Sequence, residues 1–406
     1  MKTRNKSILL TVLTALFILH GIPVIGFYTP AIAYLLVVLL LYIVLARTVG
    51  VESFLWMMAL VFPIICVPLL YSIVKLLRGN HDLAIETYNF LQLLLYPLLG
   101  IYVMRRGNKD FCMGIMRVIL IGYAITCVTT ILGCSIFPNA ARVLTGGQDD
   151  LLLYARYKQM NIGDFHFVYF IALTLPLLIG SIRYNKIKKI IGFTLLVLVL
   201  VAIFYSSYTT ALLFSLMSLL LFCVPKNISA RRLVRLTLIA FLVSMIARTF
   251  LASVFEVFSG EMSNEDMSGR LGDMSILLRG GTTEQLGEES DVSTRLDLFT
   301  SSLKAFESNP IWGAWGSKPT GGHSYLFDTM GCFGLIGFSL LIWLYVRTYK
   351  LFLAPYKREP WFSYVLFSYL LVIFQSILNP NPSIMVISFL FPIYTRLMSK
   401  NKNLKQ

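Results

Sequence analysis

Eight side chains in this 406-residue chain pair a reactive type with a suggestive setting. Arg295, Arg270, Arg279, Arg142 and Arg156 lie in polar stretches between apolar runs. A guanidinium in such a place holds phosphate oxygens through paired, charge-assisted bonds and keeps its charge. His323 has a side chain that ordinarily titrates near pH ~6.5 and so can take a proton from a hydroxyl near neutrality. Tyr325 and Trp315 present ring faces on which a sugar can stack. Each also has a plainer reading. An arginine beside a bilayer often anchors to lipid headgroups, an interfacial histidine such as His323 or His166 often only completes a hydrogen bond, and boundary aromatics mark the membrane surface. The pair Asp149-Asp150 sits in a Gly-rich loop and reads as solvated rather than metal-binding. The six cysteines, Cys66, Cys112, Cys127, Cys134, Cys223 and Cys332, fall within or at the ends of apolar segments with no Cys-x-x-Cys pair. They read as buried hydrophobes, so neither a metal site nor a cofactor is expected.

The elements that must position these groups are set by composition. Hydrophobic residues make up 57% and charged residues 14% of the chain, and the mean hydropathy is +0.75. An ordinary soluble enzyme is excluded, since such chains carry about 25% charged residues. The net charge of +15 does not indicate a nucleic-acid partner, because the charges form short clusters between apolar runs rather than a basic stripe. Against the roughly twenty apolar residues that a spanning helix needs, about twelve spans are predicted. They lie near 7–27, 31–46, 54–74, 88–104, 111–137, 165–182, 190–205, 209–224, 236–255, 324–346, 361–377 and 383–394. The pair over 190–224 can also be read as one long helix interrupted at Ser206-Ser207-Tyr208-Thr209-Thr210.

With the N-terminus inside, 24 of the 35 basic residues but only Glu52, Asp110 and Glu359 among the 20 acids fall on the inner side. The inner face then carries about +21 and the outer about −6, the positive-inside pattern, with both termini cytoplasmic. Trp56, Trp343 and Trp361 fall at inner boundaries, and Trp312 and Trp315 just outside an outer one. Ala31-Ile32-Ala33 resembles a signal-peptide cleavage site, but the stretch before it is too long and holds Pro23 and Pro30, so it is read as the first span.

The predicted fold is an all-α polytopic membrane protein, a single membrane domain over 1–406. Most loops only turn the chain; the exceptions are the external segments 138–164 and 256–323. Residues 259–291, rich in Gly, Ser and acids, are expected to be mobile. After them Leu296, Phe299, Leu303 and Phe306 predict an amphipathic helix on the outer face of the bundle. Asp291 or Ser293 would be its N-cap, Arg295 lies in its first turn, and Asn309-Pro310 stops it. Gly331, Gly334 and Gly337 in the following span have the spacing of close helix packing.

The run Ser293-Thr294-Arg295, then Asn309-Pro310-Ile311-Trp312-Gly313 and Gly321-Gly322-His323-Ser324-Tyr325, resembles the signature region of the O-antigen polymerase and O-antigen ligase superfamily. The likeness covers 293–337; elsewhere only hydropathy, span number and loop placement agree. Many relatives carry a Ser-Arg-Gly motif at an outer hairpin, whereas this chain has Ser206-Ser207-Tyr208-Thr209-Thr210, so Arg142, Arg156 or Lys158 are the candidate substitutes. The resemblance implies glycosyl transfer at the outer face of a bacterial cytoplasmic membrane, from an undecaprenyl-diphosphate-linked oligosaccharide. In that reading His323 is the base, Arg295 leads the diphosphate clamp with Arg270, Arg279, Arg142 and Arg156 behind it, and Tyr325 and Trp315 contact the glycan. Membrane lipids, a chain-length regulator and a flippase of the same pathway are the expected partners. Polymerase and ligase differ only in acceptor, and both stay open. A transporter of the same glycans is a rival from another class. It is disfavoured because the predicted span interiors carry little charge beyond Arg248 and Asp328 and show no obvious repeat. A non-enzymatic scaffold for envelope assembly is the third reading.

Overall fold

The structure is a computed structural model that describes residues 2–77, 79, 83–146, 151–226, 228–229, 232, 235, 248–261, 265–279, 291–318, 320–381 and 383–399. Most of the predicted span over 236–255 lies outside the described residues, as do His81, Asp149 and Asp150 and the side chains of Arg248 and Arg270.

Every regular element among the described residues is helical. In chain order these are α1 (Lys2–Leu19), α2 (Pro23–Tyr28), α3 (Ala31–Val49), α4 (Val51–Leu77), α5 (Leu83–Arg105) and α6 (Lys109–Ile136). Next come α7 (Ala140–Gly146), α8 (Leu151–Gln159), α9 (Phe165–Arg183), α10 (Lys189–Tyr205) and α11 (Thr209–Leu219). Beyond them come α12 (Arg248–Glu261), α13 (Glu265–Leu278), α14 (Asp291–Ser308), α15 (Tyr325–Thr348), α16 (Phe362–Leu378) and α17 (Phe391–Met398). Six of these, α3, α4, α5, α6, α9 and α15, are long and apolar enough to cross a membrane. Shorter apolar helices occupy Ile8–Leu19, Lys189–Tyr205, Thr209–Phe222, Phe362–Leu378 and Val386–Met398.

The protein is membrane-embedded, and its outward faces show it. On α6, Ile121, Ile125, Val128, Leu132 and Ile136 form an exposed apolar stripe at helical spacing. On α3, Tyr34, Val38, Leu41, Leu45 and Val49 face inward while Leu36, Leu39, Leu40 and Ile43 are exposed. Water does not tolerate stripes of this length on a soluble monomer, whereas lipid does. The centre is α9, buried on nearly every side from Phe167 to Ile182 and packed against α10, α11 and α16.

The structure departs from the sequence reading at four places. The first predicted span ends at Leu19, because Pro23 cannot continue a helix and instead opens α2. His20, in the turn between them, stacks on Tyr34 with ring centroids 3.6 Å apart. The stretch expected to be mobile contains α13, which forms a hairpin with α12; the Ser259 and Ser268 hydroxyls each donate to the other residue's carbonyl at 2.8 Å. Met267, Leu271, Met274 and Leu278 repeat at helical spacing there, a stripe concealed by the Gly-rich, acidic composition, and Leu271 is buried.

In α14 the packed face is centred on Ser302 and Ala305, with Leu296 and Leu303 exposed. Small side chains let its backbone approach α15 closely, so that a Cβ on Gly331 would meet the Ser302 carbonyl at 2.7 Å and Ala305 at 3.4 Å. Of the three glycines read as a packing stripe, only Gly331 plays that part. Gly334 breaks the helix, and the Cβ neighbours of Gly337 lie within α15 itself. The alternative at 190–224 resolves into two helices, with Ser207 in the left-handed region at φ 57° in the turn between them.

Candidate functional site

The turn before α15 is organised by one buried carboxylate. Ser324 caps the helix, its hydroxyl accepting from the Phe327 amide at 3.2 Å. Asp328, one turn in, accepts from the Ser302 hydroxyl at 2.6 Å, the Ser324 amide at 3.0 Å and the Gly322 amide at 3.1 Å. Three donors satisfy a charge that the apolar surroundings alone would not tolerate, and together they tie α14, the glycine turn and α15 into one unit. His323 lies on the exposed side of this turn, close enough to Asp328 to interact electrostatically.

Beneath the turn opens a cavity of about 580 Å³ between α4, α5, the start of α9 and the segments 320–328 and 380–386. Its floor is apolar and aromatic, with Phe90, Leu93, Tyr96 and Phe170. Polar groups line it elsewhere: Lys75, Glu86, Asn89, His166, Thr320 and Asn381. Lys75 and Glu86 face each other at 3.6 Å, with Glu86 buried. The His166 Nδ1 lies 2.8 Å from the Asn381 amide nitrogen, so this ring nitrogen accepts and the other carries the proton in the neutral tautomer. Tyr325 also lines the cavity; its hydroxyl is buried and has no hydrogen-bond partner among the described residues. An aromatic, mostly apolar enclosure with a few polar groups is the usual make-up of a small-molecule or sugar site.

One turn further along α9, Tyr169 carries a second cluster. The tyrosine is buried beside Thr210 and Asn379 and lies in the electrostatic field of both Arg295 and Arg142. Arg142 also donates to the Ser207 carbonyl at 3.1 Å, and the Tyr208 hydroxyl donates back to the Ala141 carbonyl at 3.0 Å. The outer hairpin that lacks an arginine of its own therefore receives one from the neighbouring segment. Cavity and cluster share two walls, the first turns of α9 and residues 379–381.

The structure sets Arg295 and Arg142 each within electrostatic range of Tyr169, puts Tyr325 in the cavity wall, and leaves His323 in electrostatic range of Asp328. The remaining candidates lie elsewhere. Arg279 pairs with Glu256 on the surface, and the Arg156 guanidinium lies over Phe137 at 4.9 Å. Trp315 packs edge-on against Phe333 at 5.3 Å. The side chain of Arg270 lies outside the described residues. Sequence reasoning passed over Lys75, Glu86, Tyr169, Asn379 and Asn381. The signal for Glu86 was present, an acid next to an apolar run. Asn379 and Asn381 sat in an Asn-Pro-Asn-Pro turn that reads only as a stop. Among the described residues no group of three or more His, Cys, Asp and Glu side chains is arranged to hold a metal ion.

The Gly-rich stretch after α14 has a structural task. At Gly334, φ 61° and ψ −152° interrupt α15, and residues 310–315 dock into the break. The freed carbonyls of Gly331 and Cys332 accept from the Ala314 and Trp315 amides at 2.9 and 2.8 Å. The Leu335 and Ile336 amides donate to Pro310 and Ile311 at 2.8 and 3.4 Å. A broken helix at membrane depth is tolerated because protein re-satisfies the backbone.

No known family is matched by this chain, and a search of curated proteins finds no match.

Proposed function

We propose that this chain is a glycosyltransferase of the O-antigen polymerase type, extending a polysaccharide at the outer face of a bacterial cytoplasmic membrane. Undecaprenyl-diphosphate-linked glycan is the donor, and both termini of the chain are cytoplasmic. The observation that carries the reading is that Arg142 and Arg295, from distant parts of the chain, both act electrostatically on Tyr169, beside an aromatic-lined cavity. Two guanidiniums stabilise a departing diphosphate more than they stabilise the bound donor, because negative charge grows on it as the glycosidic bond breaks. The cavity holds the acceptor sugar against Tyr71, Tyr96 and Tyr325. The acceptor hydroxyl attacks the anomeric carbon with inversion, its proton passes to His323, and lipid diphosphate leaves. His166 is the competing base, since it lines the cavity itself.

The test is polymerisation of purified lipid-linked repeat units. Wild type yields a ladder; Arg142→Ala and Arg295→Ala, made at wild-type level, lower the rate at least a hundredfold. Full activity of the double variant would overturn the reading. Loss of activity in His323→Gln with retention in His166→Gln assigns the base to His323, and the reverse result moves it into the cavity. No ladder, with transfer onto lipid A core instead, makes the protein the ligase.

One observation favours the transporter reading, the broken helix α15, since discontinuous helices recur in transporters. In transporters such breaks line a substrate path, whereas residues 310–315 fill this one.

A further inference from the structure

We infer that a second crevice, which runs from Phe170 along α9 to Lys186 and shares only Phe170 with the first cavity among their lining residues, binds one anionic phospholipid of the inner leaflet. It lies between α6, α9, α10 and the segment Val386–Met398 and encloses about 210 Å³. Its walls are almost wholly apolar, among them Leu120, Ala124, Leu178 and Leu198. Among the described residues, the only charged ones lining it are Arg117 and Lys186, both exposed and both toward the end that the basic loops mark as cytoplasmic. Ten residues of α6 separate Arg117 from Cys127 along this wall, about 15 Å at the α-helical rise. That is half of a hydrocarbon core about 30 Å thick, the depth of one leaflet.

The shape therefore matches an acyl chain lying along α6 with its phosphate between Arg117 and Lys186. Basic pockets between helices on the cytoplasmic side favour anionic headgroups over zwitterionic ones. Ser181, whose hydroxyl donates to the Leu177 carbonyl at 2.9 Å, and Tyr394, whose buried hydroxyl has no partner among the described residues, line the same crevice and offer hydroxyls to the glycerol esters. The lipid assignment does not depend on the glycosyltransferase reading, because its two cations and its apolar walls, Phe170 apart, are not part of the first cavity.

The experiment uses the full-length protein in nanodiscs of phosphatidylcholine doped with phosphatidylglycerol, followed by extraction and native mass spectrometry. Wild type is expected to retain one phosphatidylglycerol, and the double variant Arg117→Gln, Lys186→Gln to lose at least tenfold in retention. Ala124→Trp, which fills the crevice and keeps both cations, is expected to lose retention as well. Lys189→Gln, which removes a nearby cation that does not line the crevice, should leave it unchanged. Equal retention of both lipids, or undiminished retention in the double variant, would identify only ordinary surrounding lipid and overturn the assignment. Displacement of phosphatidylglycerol by polyprenyl phosphate at the same stoichiometry would overturn it too, making the crevice a carrier site. Should Ala124→Trp not fold, the charge variant decides alone.

Discussion

Two connecting segments are fastened to the helical bundle by different kinds of bond. Residues 137–164 are held mainly by side chains. Asn161 donates to Thr126 and Thr129 at 3.2 and 3.1 Å and accepts from the Val24 amide at 3.2 Å. Lys158 pairs with Asp164 at 3.1 Å, and Arg142 reaches the Ser207 carbonyl. Residues 310–315 are instead held by main-chain bonds laid into the break at Gly334. A side-chain fastening can be loosened one bond at a time. A main-chain fastening depends on the absence of side chains, since a Cβ on Gly313 would lie 2.4 Å from the Cys332 carbonyl and one on Gly334 at 2.4 Å from the Ile311 carbonyl. The rigid fastening lies in the unit that carries His323, and the adjustable one in the segment that carries Arg142. In the proposed reaction the base and Arg295 thus belong to the backbone-anchored unit, and Arg142 to the segment held by side chains.

The largest effect separating the two fastenings is expected at Gly334. Its φ and ψ fall in a region nearly exclusive to glycine, and the added methyl overlaps main chain. Gly334→Ala should destabilise by more than about 3 kcal/mol and abolish the monodisperse folded species. Gly322→Ala is the internal control, because its φ is also positive at 70° but nothing lies within 4 Å of the new Cβ. That change should cost only about 1 kcal/mol in a thermal melt. Equal melting of the two variants would show that backbone strain, and not the lack of space, holds this segment.

Asn161→Ala comes next, at about 2 kcal/mol, since it leaves the Val24 amide and two threonine hydroxyls without this partner. Melting indistinguishable from wild type would mean that the side-chain fastening is redundant.

The smallest effect is a pH dependence at Asp164, which caps α9 by accepting from the Phe167 amide at 3.1 Å. Burial alone would raise its pKa, but Lys158, His166 and the Phe167 amide outweigh burial and hold it below the ordinary value of 3.8. The sign follows from linkage. A depressed folded-state pKa contributes stability above the unfolded value and loses it as pH falls through the folded one. Asp164→Asn should therefore melt lower by about 1 kcal/mol at pH 7, with the gap closing below pH ~4. A gap that persists or widens in acid would contradict this assignment.

How much of this was legible follows from particular residues. The helix ends at Ser308 and Arg183 were readable, because Asn309-Pro310 and the basic run after 182 are local signals. The Ser302 and Ala305 face was not. Hydropathy ranks Leu296 and Leu303 as the inward pair, yet in a bilayer apolar side chains need not turn inward, and close backbone approach selects small residues instead. Arg142 was readable only as one of several stand-ins for a missing arginine, since nothing local says which segment folds against the 206–210 hairpin. Lys75 and Glu86 were hidden because they lie on different helices and acquire meaning only when those helices enclose one cavity.

By itself the sequence determined the solvent and the material of this protein. Long apolar runs demand lipid, runs of that kind in lipid become helices because the backbone must satisfy itself, and the placement of basic residues predicts which side is inner. Tertiary structure alone decided which polar groups meet. Arg295 and Arg142 are 153 residues apart and both come within electrostatic range of Tyr169 only through the packing around α9, which lies against α11 and α16. Gly334, which as sequence suggests close helix packing, proves with Gly313 to be where one backbone enters another. Hydropathy is a property of each stretch of chain, whereas such convergence depends on which stretches become neighbours.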